Sequence, residues 1–297
     1  TCPGCNLIVH LDDSCYVGEE LYCSSCADGL VSEYIDEYHH TKAHMFCTAF
    51  RQGGAWRSMY DREPFAQEIY YGVELEVEAP DHESRNDIAK HLRSNYDPSH
   101  KEFDLKEDGS LNCGFEIATQ PMTLQYHKRV FPWKDILKYL ARNDCKSHDS
   151  GTCGLHIHVC RDIMTSLVED KLVLFFKTNW DKIAMISRRK SFGYCAPNHE
   201  SAYPDDKVKD VIKKSKRAPK YSALRFYDDT IELRVFRGTL RYSSFIAALE
   251  FYDAVVVFCS IYGIGLMAQP KSWTAFKAFA QARQYRYLSK YLEERGV

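Results

Sequence analysis

Four short stretches of the chain alternate apolar residues with groups that bind metals, protons or phosphate. In the run from Gly72 to Glu78, Val73, Leu75 and Val77 alternate with Glu74, Glu76 and Glu78. Glu116 stands between Phe115 and Ile117. His156 and His158 alternate with Leu155, Ile157 and Val159, and Glu232 and Arg234 alternate with Ile231, Leu233 and Val235. A period of two predicts strands with one buried face, because successive side chains of a strand point to opposite sides. Carboxylates two residues apart on such a strand sit about 7 Å from each other. At an effective dielectric near 20, each adjacent pair repels by roughly 2.4 kcal/mol. Solvent or a cation must compensate.

A strand that merely faces water draws on Thr, Lys, Ser and Gln. Here the polar positions carry Glu, His and Arg: carboxylate oxygens for Mg²⁺ or Mn²⁺, imidazole for a metal or phosphate, and guanidinium for anionic oxygens. Any one of these strands reads equally well as an ordinary half-exposed strand, and a lone His156 as a core histidine. Together they predict four strands lying side by side, their polar faces lining one cavity that holds divalent cations.

The elements around these strands are less regular. Helical patterns cover residues 86–94, 126–143, 165–187 and 243–263, with a final pair after Pro270. Strands and helices do not alternate as in a doubly wound sheet, and there is no Gly-rich phosphate loop or nucleophile elbow. The expected class is α+β with a mostly antiparallel sheet. The longest apolar stretch, residues 245–267, contains Glu250 and Asp253. Two carboxylates near a bilayer centre would cost about 2.5–3.5 kcal/mol each, so this stretch predicts a buried helix and no membrane partner. With 39 basic and 41 acidic residues the net charge is −2, which disfavours a dedicated nucleic-acid binder. Ten Lys and Arg residues nevertheless crowd residues 188–220. They read as a solvated face or as a mobile cover over an anionic substrate, and they lack the interleaved aromatics of a nucleic-acid groove.

The amino-terminal residues form a different unit. Five of the twelve cysteines fall in the first 26 residues, with Cys2 and Cys5 in one CxxC pair, Cys23 and Cys26 in another, and seventeen residues between. That spacing suits a tetrahedral four-thiolate zinc, with Cys15 and His10 as substitute ligands. About 30 residues build no core alone, so the metal would supply roughly 10–16 kcal/mol of folding energy. Residues 1–30 contain no Lys or Arg, which favours docking or structure over nucleic-acid contact. Thiolate zinc, free thiols in the apolar segments around Cys113, Cys153, Cys160, Cys195 and Cys259, and no apolar leader give a cytoplasmic expectation. Residues 31–68 read as a connector, 69–265 as the main domain and 266–297 as carboxy-terminal helices packed on it.

The order of the motifs resembles the amidoligase family, carboxylate–amine ligases related to glutamine synthetase and γ-glutamylcysteine synthetase. The pieces are Gly72-Val73-Glu74-Leu75-Glu76, Glu107-Asp108-Gly109-Ser110-Leu111, Gly114-Phe115-Glu116-Ile117 and Cys153-Gly154-Leu155-His156-Ile157-His158-Val159. Arg189 with Tyr194-Cys195, Lys220-Tyr221-Ser222-Ala223-Leu224, and the run from Glu232 to Leu240 complete the set. The resemblance covers about residues 70–260 and lies in the order, since HxH or ExE alone is common. It implies an antiparallel sheet forming an open funnel, ATP at one end, and divalent cations between ATP and the acyl centre. It also implies that Glu74, His156 and Glu232 hold the cation beside the phosphates, and that Glu76, Asp108 and Glu116 hold a second. Arg234, Arg189, His158 and Glu76 would be catalytic, with Arg234, Arg237, His158 and Lys220 binding nucleotide. The partners implied are ATP, a carboxylate and an amine, peptide or protein substrates included. Glu78 reads either as acceptor of the amine proton or as a carboxylate supporting the site.

Two other classes compete with the ligase. A metal-dependent hydrolase would use His156, His158 and the carboxylates to activate water, leaving Glu232 and the arginines without a clear task. An idle adaptor would keep the sheet and recruit partners through zinc.

Overall fold

The computed structural model describes residue 3 and residues 14–17, 20–23, 34–36, 68–148, 151–201 and 207–297. Near the amino terminus, β1 (Ser14–Val17) and β2 (Glu20–Cys23) pair antiparallel as a separate hairpin. Cys2, Cys5 and Cys26 lie outside the described residues, and so does the connector apart from residues 34–36 and 68.

The main sheet is built from β3 (Tyr70–Glu78), β4 (Phe103–Lys106), β5 (Gly114–Thr119), β6 (Met122–Thr123), β7 (Gly154–Cys160), β8 (Leu224–Phe226) and β9 (Thr230–Arg237). Its order is β4-β5-β3-β7-β9-β8, with β6 added beside the start of β3, and every pairing is antiparallel. The sheet is open, with β4 and β8 at its edges. The four alternating stretches of the sequence are β3, β5, β7 and β9, and they are contiguous in space.

Helices cover the apolar face. In chain order they are α1 (His82–Tyr96), α2 (Leu124–Arg129), α3 (Trp133–Arg142), α4 (Ser166–Thr178), α5 (Trp180–Ser187), α6 (Val208–Lys216), α7 (Tyr242–Ile261), α8 (Ile264–Met267), α9 (Lys271–Ala282) and α10 (Arg286–Arg295). Side-chain caps set several starts: Asp81 accepts from Ser84 N at 2.8 Å, and Thr123 accepts from Tyr126 N at 3.2 Å. The expected helix over 126–143 is two helices, because Pro132 disfavours helical geometry at Phe131 and opens α3 instead. The one over 165–187 breaks at Asn179, whose side chain turns back to the Phe175 carbonyl.

The helix α7 is apolar on every side and sits in the core, its Phe251 ring 5.6 Å from Phe236 of β9. Among the described residues it is the one helix long and apolar enough to cross a membrane, and 89% of that window is buried inside the protein. Its two carboxylates are satisfied. Glu250 pairs with Lys128 and accepts from Leu288 N at 2.8 Å, and Asp253 accepts from the hydroxyls of Tyr71 and Tyr285. These acids tie α10 and β3 to the central helix, since breaking one partnership would strand a buried charge.

Candidate active site

The register of the sheet brings the ionisable residues into rows. Glu76 of β3 lies directly opposite Glu116 of β5, Glu74 lies opposite His156 of β7, and His158 lies opposite Glu232 of β9. Alternation then places Glu74, Glu76, Glu116, His156, His158 and Glu232 on one face, with Val73, Leu75, Ile157 and Leu233 buried on the other.

Two donor triads result. Donor atoms of Glu74, His156 and Glu232 all lie within 4.8 Å of one another, and so do those of Glu76, Asp108 and Glu116. Between them stands the His156 ring. Its Nδ1 is 3.4 Å from Glu74 and 3.5 Å from Glu232, while its Nε2 is 3.7 Å from Glu76. His158 flanks the first triad with Nε2 3.1 Å from Glu74 Oε1, off line for a hydrogen bond, and that buried nitrogen has no hydrogen-bond partner.

Most of these groups are nearly shut off from solvent: Glu232 is 1% exposed, His156 4%, Glu76 5% and Glu116 8%. Burial pushes the Glu74 carboxyl up, but the imidazoles of His158 and His156 outweigh it and hold it well below the usual carboxylate range. His158 is lowered by burial and raised more by Glu74 and Glu232, reaching about 8. Glu76 is raised by burial and Asp108, against the opposing pull of His156 and the Gly154 N–H. Glu116 is raised well above the ordinary value by burial and by Glu74, Glu76 and Asp108. The first triad therefore balances its charge with histidines, whereas the second gathers three carboxylates whose charge Lys106, Arg189 and His156 offset only in part.

That imbalance is a fit test for a divalent ion, and the donors pass it. Three hard oxygens suit Mg²⁺ or Mn²⁺ at the second triad, and two oxygens with one imidazole nitrogen suit the same ions at the first. Gly154 supplies further support. Its N–H donates to Glu76 Oε2, and a Cβ there would meet His156 Nε2 at 2.7 Å, Arg189 Nη2 at 2.8 Å and Glu76 Oε2 at 3.3 Å. Only a residue without a side chain leaves that space open.

The arginines are placed by a β-bulge. Leu155 pairs with Phe236 and Ile157 with Leu233, so β9 carries one extra residue opposite His156. The bulge turns backbone carbonyls inward, and Arg189 caps them: Nε donates to Val235 O at 3.2 Å, and Nη2 to Arg234 O at 3.3 Å and Phe236 O at 3.0 Å. These bonds engage Nε and Nη2 of Arg189. Arg234 pairs with Glu232, which also accepts from the Tyr227 hydroxyl at 3.1 Å.

Glu78 is engaged by four donors. It accepts from Asn112 N at 3.0 Å, Asn112 Nδ2 at 3.3 Å, Cys113 N at 2.9 Å and Thr152 Oγ1 at 3.0 Å. It clamps the end of the loop that carries Asp108 to the turn that precedes Gly154. Asp108 itself accepts from Ser110 N at 2.8 Å, which fixes one carboxylate oxygen.

The remaining expected residues lie further out. Arg237 ends β9 opposite Gly154, and Lys220 sits 5.6 Å from the exposed Tyr221 ring. The described parts of the basic segment bond to the body at two points. Asn198 bonds Ser215 O and both backbone groups of Leu224, and Lys216 pairs with Glu169 and Asp170. Of the five thiols expected in buried segments, Cys153, Cys195 and Cys259 are buried and Cys113 and Cys160 half-buried, none of them in a disulfide.

Sequence reasoning missed Arg225 and Tyr227. Arg225 of β8 lies opposite Glu232, its guanidinium 4.8 Å from the Tyr227 ring, and Tyr227 stacks 6.0 Å from His158. A three-residue strand is too short for a periodicity to reveal.

No family model matches the chain, and no curated protein matches it. Two solved structures share part of its course. One is a bifunctional glutathione synthetase from Pasteurella multocida, 11% identical with a TM-score of 0.42, covering 80% of this chain and 48% of that one. The other is the complex between the prokaryotic ubiquitin-like protein Pup and its ligase PafA, 13% identical with a TM-score of 0.34, covering 78% of this chain and 59% of that one. The chain spans between about half and three-fifths of the length of these proteins.

Proposed function

We propose that the protein is an ATP-dependent carboxylate–amine ligase that uses Mg²⁺ or Mn²⁺ and forms an amide or isopeptide bond through an acyl phosphate. The observation that carries this reading is the pair of donor triads on one sheet face, bridged by His156 and flanked by Arg234. A phosphoryl transfer needs positive charge and fixed geometry around its oxygens. Divalent ions held by Glu74, His156 and Glu232, and by Glu76, Asp108 and Glu116, would supply most of that charge.

The chain's own residues do the rest. Arg234, held by Glu232, presents a guanidinium to the transferring group, and His158, protonated at neutral pH, adds a second cation beside it. A substrate carboxylate oxygen attacks the γ-phosphorus and ADP leaves. The amine nitrogen then attacks the acyl carbon, inorganic phosphate leaves, and the amine proton ends in solvent. Burial of the triads excludes water, which would otherwise hydrolyse the acyl phosphate. Peptide and protein substrates both fit this chemistry.

The test is release of ADP and phosphate from ATP across a panel of amines and carboxylates. A ligase releases both only when both substrates are present. Substrate hydrolysis without ATP would assign the site to a metal-dependent hydrolase, and silence across the panel would favour an adaptor. We further propose that Cys2, Cys5, Cys23 and Cys26 hold one structural zinc. Metal analysis of the purified protein should find one equivalent, lost on replacing Cys23 and Cys26 by serine.

A further inference from the structure

One edge of the sheet ends beside the second triad. The strand β4 pairs with β5 on one side, and that ladder stops where Lys106 stands opposite Glu116. Glu107 and Asp108 follow at once, so a triad carboxylate sits on the loop that leaves the edge. An edge strand presents backbone N–H and C=O groups that need partners on its outer side.

The connector supplies them at this end. Asp36 bridges Lys106 in parallel: its N–H donates to Leu105 O at 2.7 Å, and its carbonyl accepts from Glu107 N at 2.9 Å. Side chains seat the segment. Ile35 is 7% exposed and joins the hydrophobic core, and Tyr34 packs against that core with Lys90 Nζ of α1 5.9 Å from its ring. The Asp36 carboxylate accepts from Arg93 Nη2 at 3.2 Å, and the buried Arg93 also donates to Phe103 O at the start of β4. Asp36 is therefore tied to both ends of the edge strand.

These contacts bear on the triad in two ways. Glu107 is held by its N–H at Asp36 and by its carboxylate at Arg85 of α1, so the backbone enters Asp108 from a fixed residue. Glu78 clamps the far end of the same loop at Asn112 and Cys113, and Asp36 secures the near end. Lys106, straddled by the two Asp36 bonds, faces Glu116 and offsets part of its charge.

Resting on the ligase reading for the cation at the second triad, we propose that Asp36 is a positioning residue for that cation. Docked on β4, residues 34–36 hold Asp108 where it can ligate, and the ion at Glu76, Asp108 and Glu116 binds tightly only while they are docked. The connector is then part of the frame of the site.

The test is Mn²⁺ titration of the full chain without ATP, followed by electron paramagnetic resonance. The variants are Asp36→Ala, Asp36→Asn and Ile35→Asp, each with Asp108 intact and with Asp108→Asn. With Asp108 intact, Asp36→Ala and Ile35→Asp should weaken Mn²⁺ binding about tenfold, and Asp36→Asn, which keeps an acceptor for Arg93, should stay within about threefold of wild type. With Asp108→Asn the same substitutions should change the remaining binding less than about twofold, because the ligand they position is already gone. Hydrogen exchange in EDTA reads the strap without any metal: the Glu107 amide should exchange about tenfold faster in Ile35→Asp, while the amides of β3 and β7 keep their protection. Equal losses with and without Asp108, no loss with Asp108 intact, no rescue by Asp36→Asn, or an unchanged Glu107 amide would overturn the proposal and leave the ligase reading standing. Wild-type Mn²⁺ binding that Asp108→Asn does not alter would sink the second cation of the ligase reading together with this proposal.

Discussion

Replacing Glu116 by glutamine should stabilise the protein in the absence of divalent ions and remove its response to them. Glu116 faces Glu76 across the β3–β5 pairing, and its donor oxygen lies within 4.8 Å of those of Glu76 and Asp108. Were all three ionised, each contact would cost about 3.5 kcal/mol at an effective dielectric of 20. The protein has a cheaper escape: Glu116 takes up a proton, which is why its pKa stands well above the ordinary 4.5. That uptake bounds the penalty. The sign follows from linkage: a carboxyl whose folded pKa is raised binds more protons in the native state, so stability is fullest below pH 4.5 and falls as pH rises toward the folded pKa. Glutamine mimics the protonated form without the penalty. At pH 7.5 in EDTA, Glu116→Gln should therefore be more stable than wild type by up to about 3.5 kcal/mol, the cost of one such contact, or up to about 5 °C in thermal midpoint for a chain of this size. Adding Mg²⁺ or Mn²⁺ should raise the wild-type midpoint and leave the variant nearly unmoved. Thermal unfolding by circular dichroism, with and without cation at pH 5 and pH 7.5, checks all of this. A variant less stable than wild type in EDTA, or one that responds to Mg²⁺ as wild type does, would refute the reasoning.

Three other substitutions probe the supports of the site. Gly154→Ala places a methyl 2.7 Å from His156 Nε2 and 2.8 Å from Arg189 Nη2, so Mn²⁺ binding followed by electron paramagnetic resonance should weaken at least tenfold while the fold survives. Glu78→Gln sets an amide N–H₂ against either the Cys113 N–H or the Asn112 N–H, which should cost about 1–3 kcal/mol in urea unfolding and lower turnover by loosening the loop of Asp108. His127 is held neutral in the core, its Nε2 against Tyr71 O and its Nδ1 accepting from Trp133, and burial lowers its pKa to about 4. A depressed folded pKa means that stability is complete above pH 6.5 and is lost as pH falls toward 4, by about 3 kcal/mol. Urea midpoints from pH 7.5 to 4 should show that loss in wild type and a smaller one in His127→Gln.

The donor rows were legible in the sequence because a strand writes its face in its period. Glu74, Glu76, His156 and Glu232 could be assigned to one side from alternation alone, and α7 could be assigned to the core because Glu250 and Asp253 interrupt an otherwise apolar run. Which glutamate would face which partner did not follow from periodicity, since register depends on turn geometry and on bulges that leave no periodic trace; only the resemblance grouped them into two triads. The two broken helices follow the same logic. Pro132 carries a local signal, whereas the break at Asn179 depends on a side chain choosing its own backbone over continued helix.

Arg189 and Glu78 show how hydrogen bonding occupies charged side chains beside the triads. Both are charged, both lie beside the triads, and either would pass as a reacting group. The extra residue in β9 opposite His156 frees three carbonyls, and burial makes any unpaired carbonyl costly. A guanidinium with several N–H donors in a fixed fork is the side chain best suited to satisfy them at once. The same reasoning holds for Glu78, which faces two backbone N–H groups and two side-chain donors from separate loops, and an ionised carboxylate is the one side chain that accepts from them all. The charges that do chemistry should be those left over once the backbone is satisfied. By that criterion Glu116 and His158 are the groups that the local hydrogen bonding leaves for a ligand.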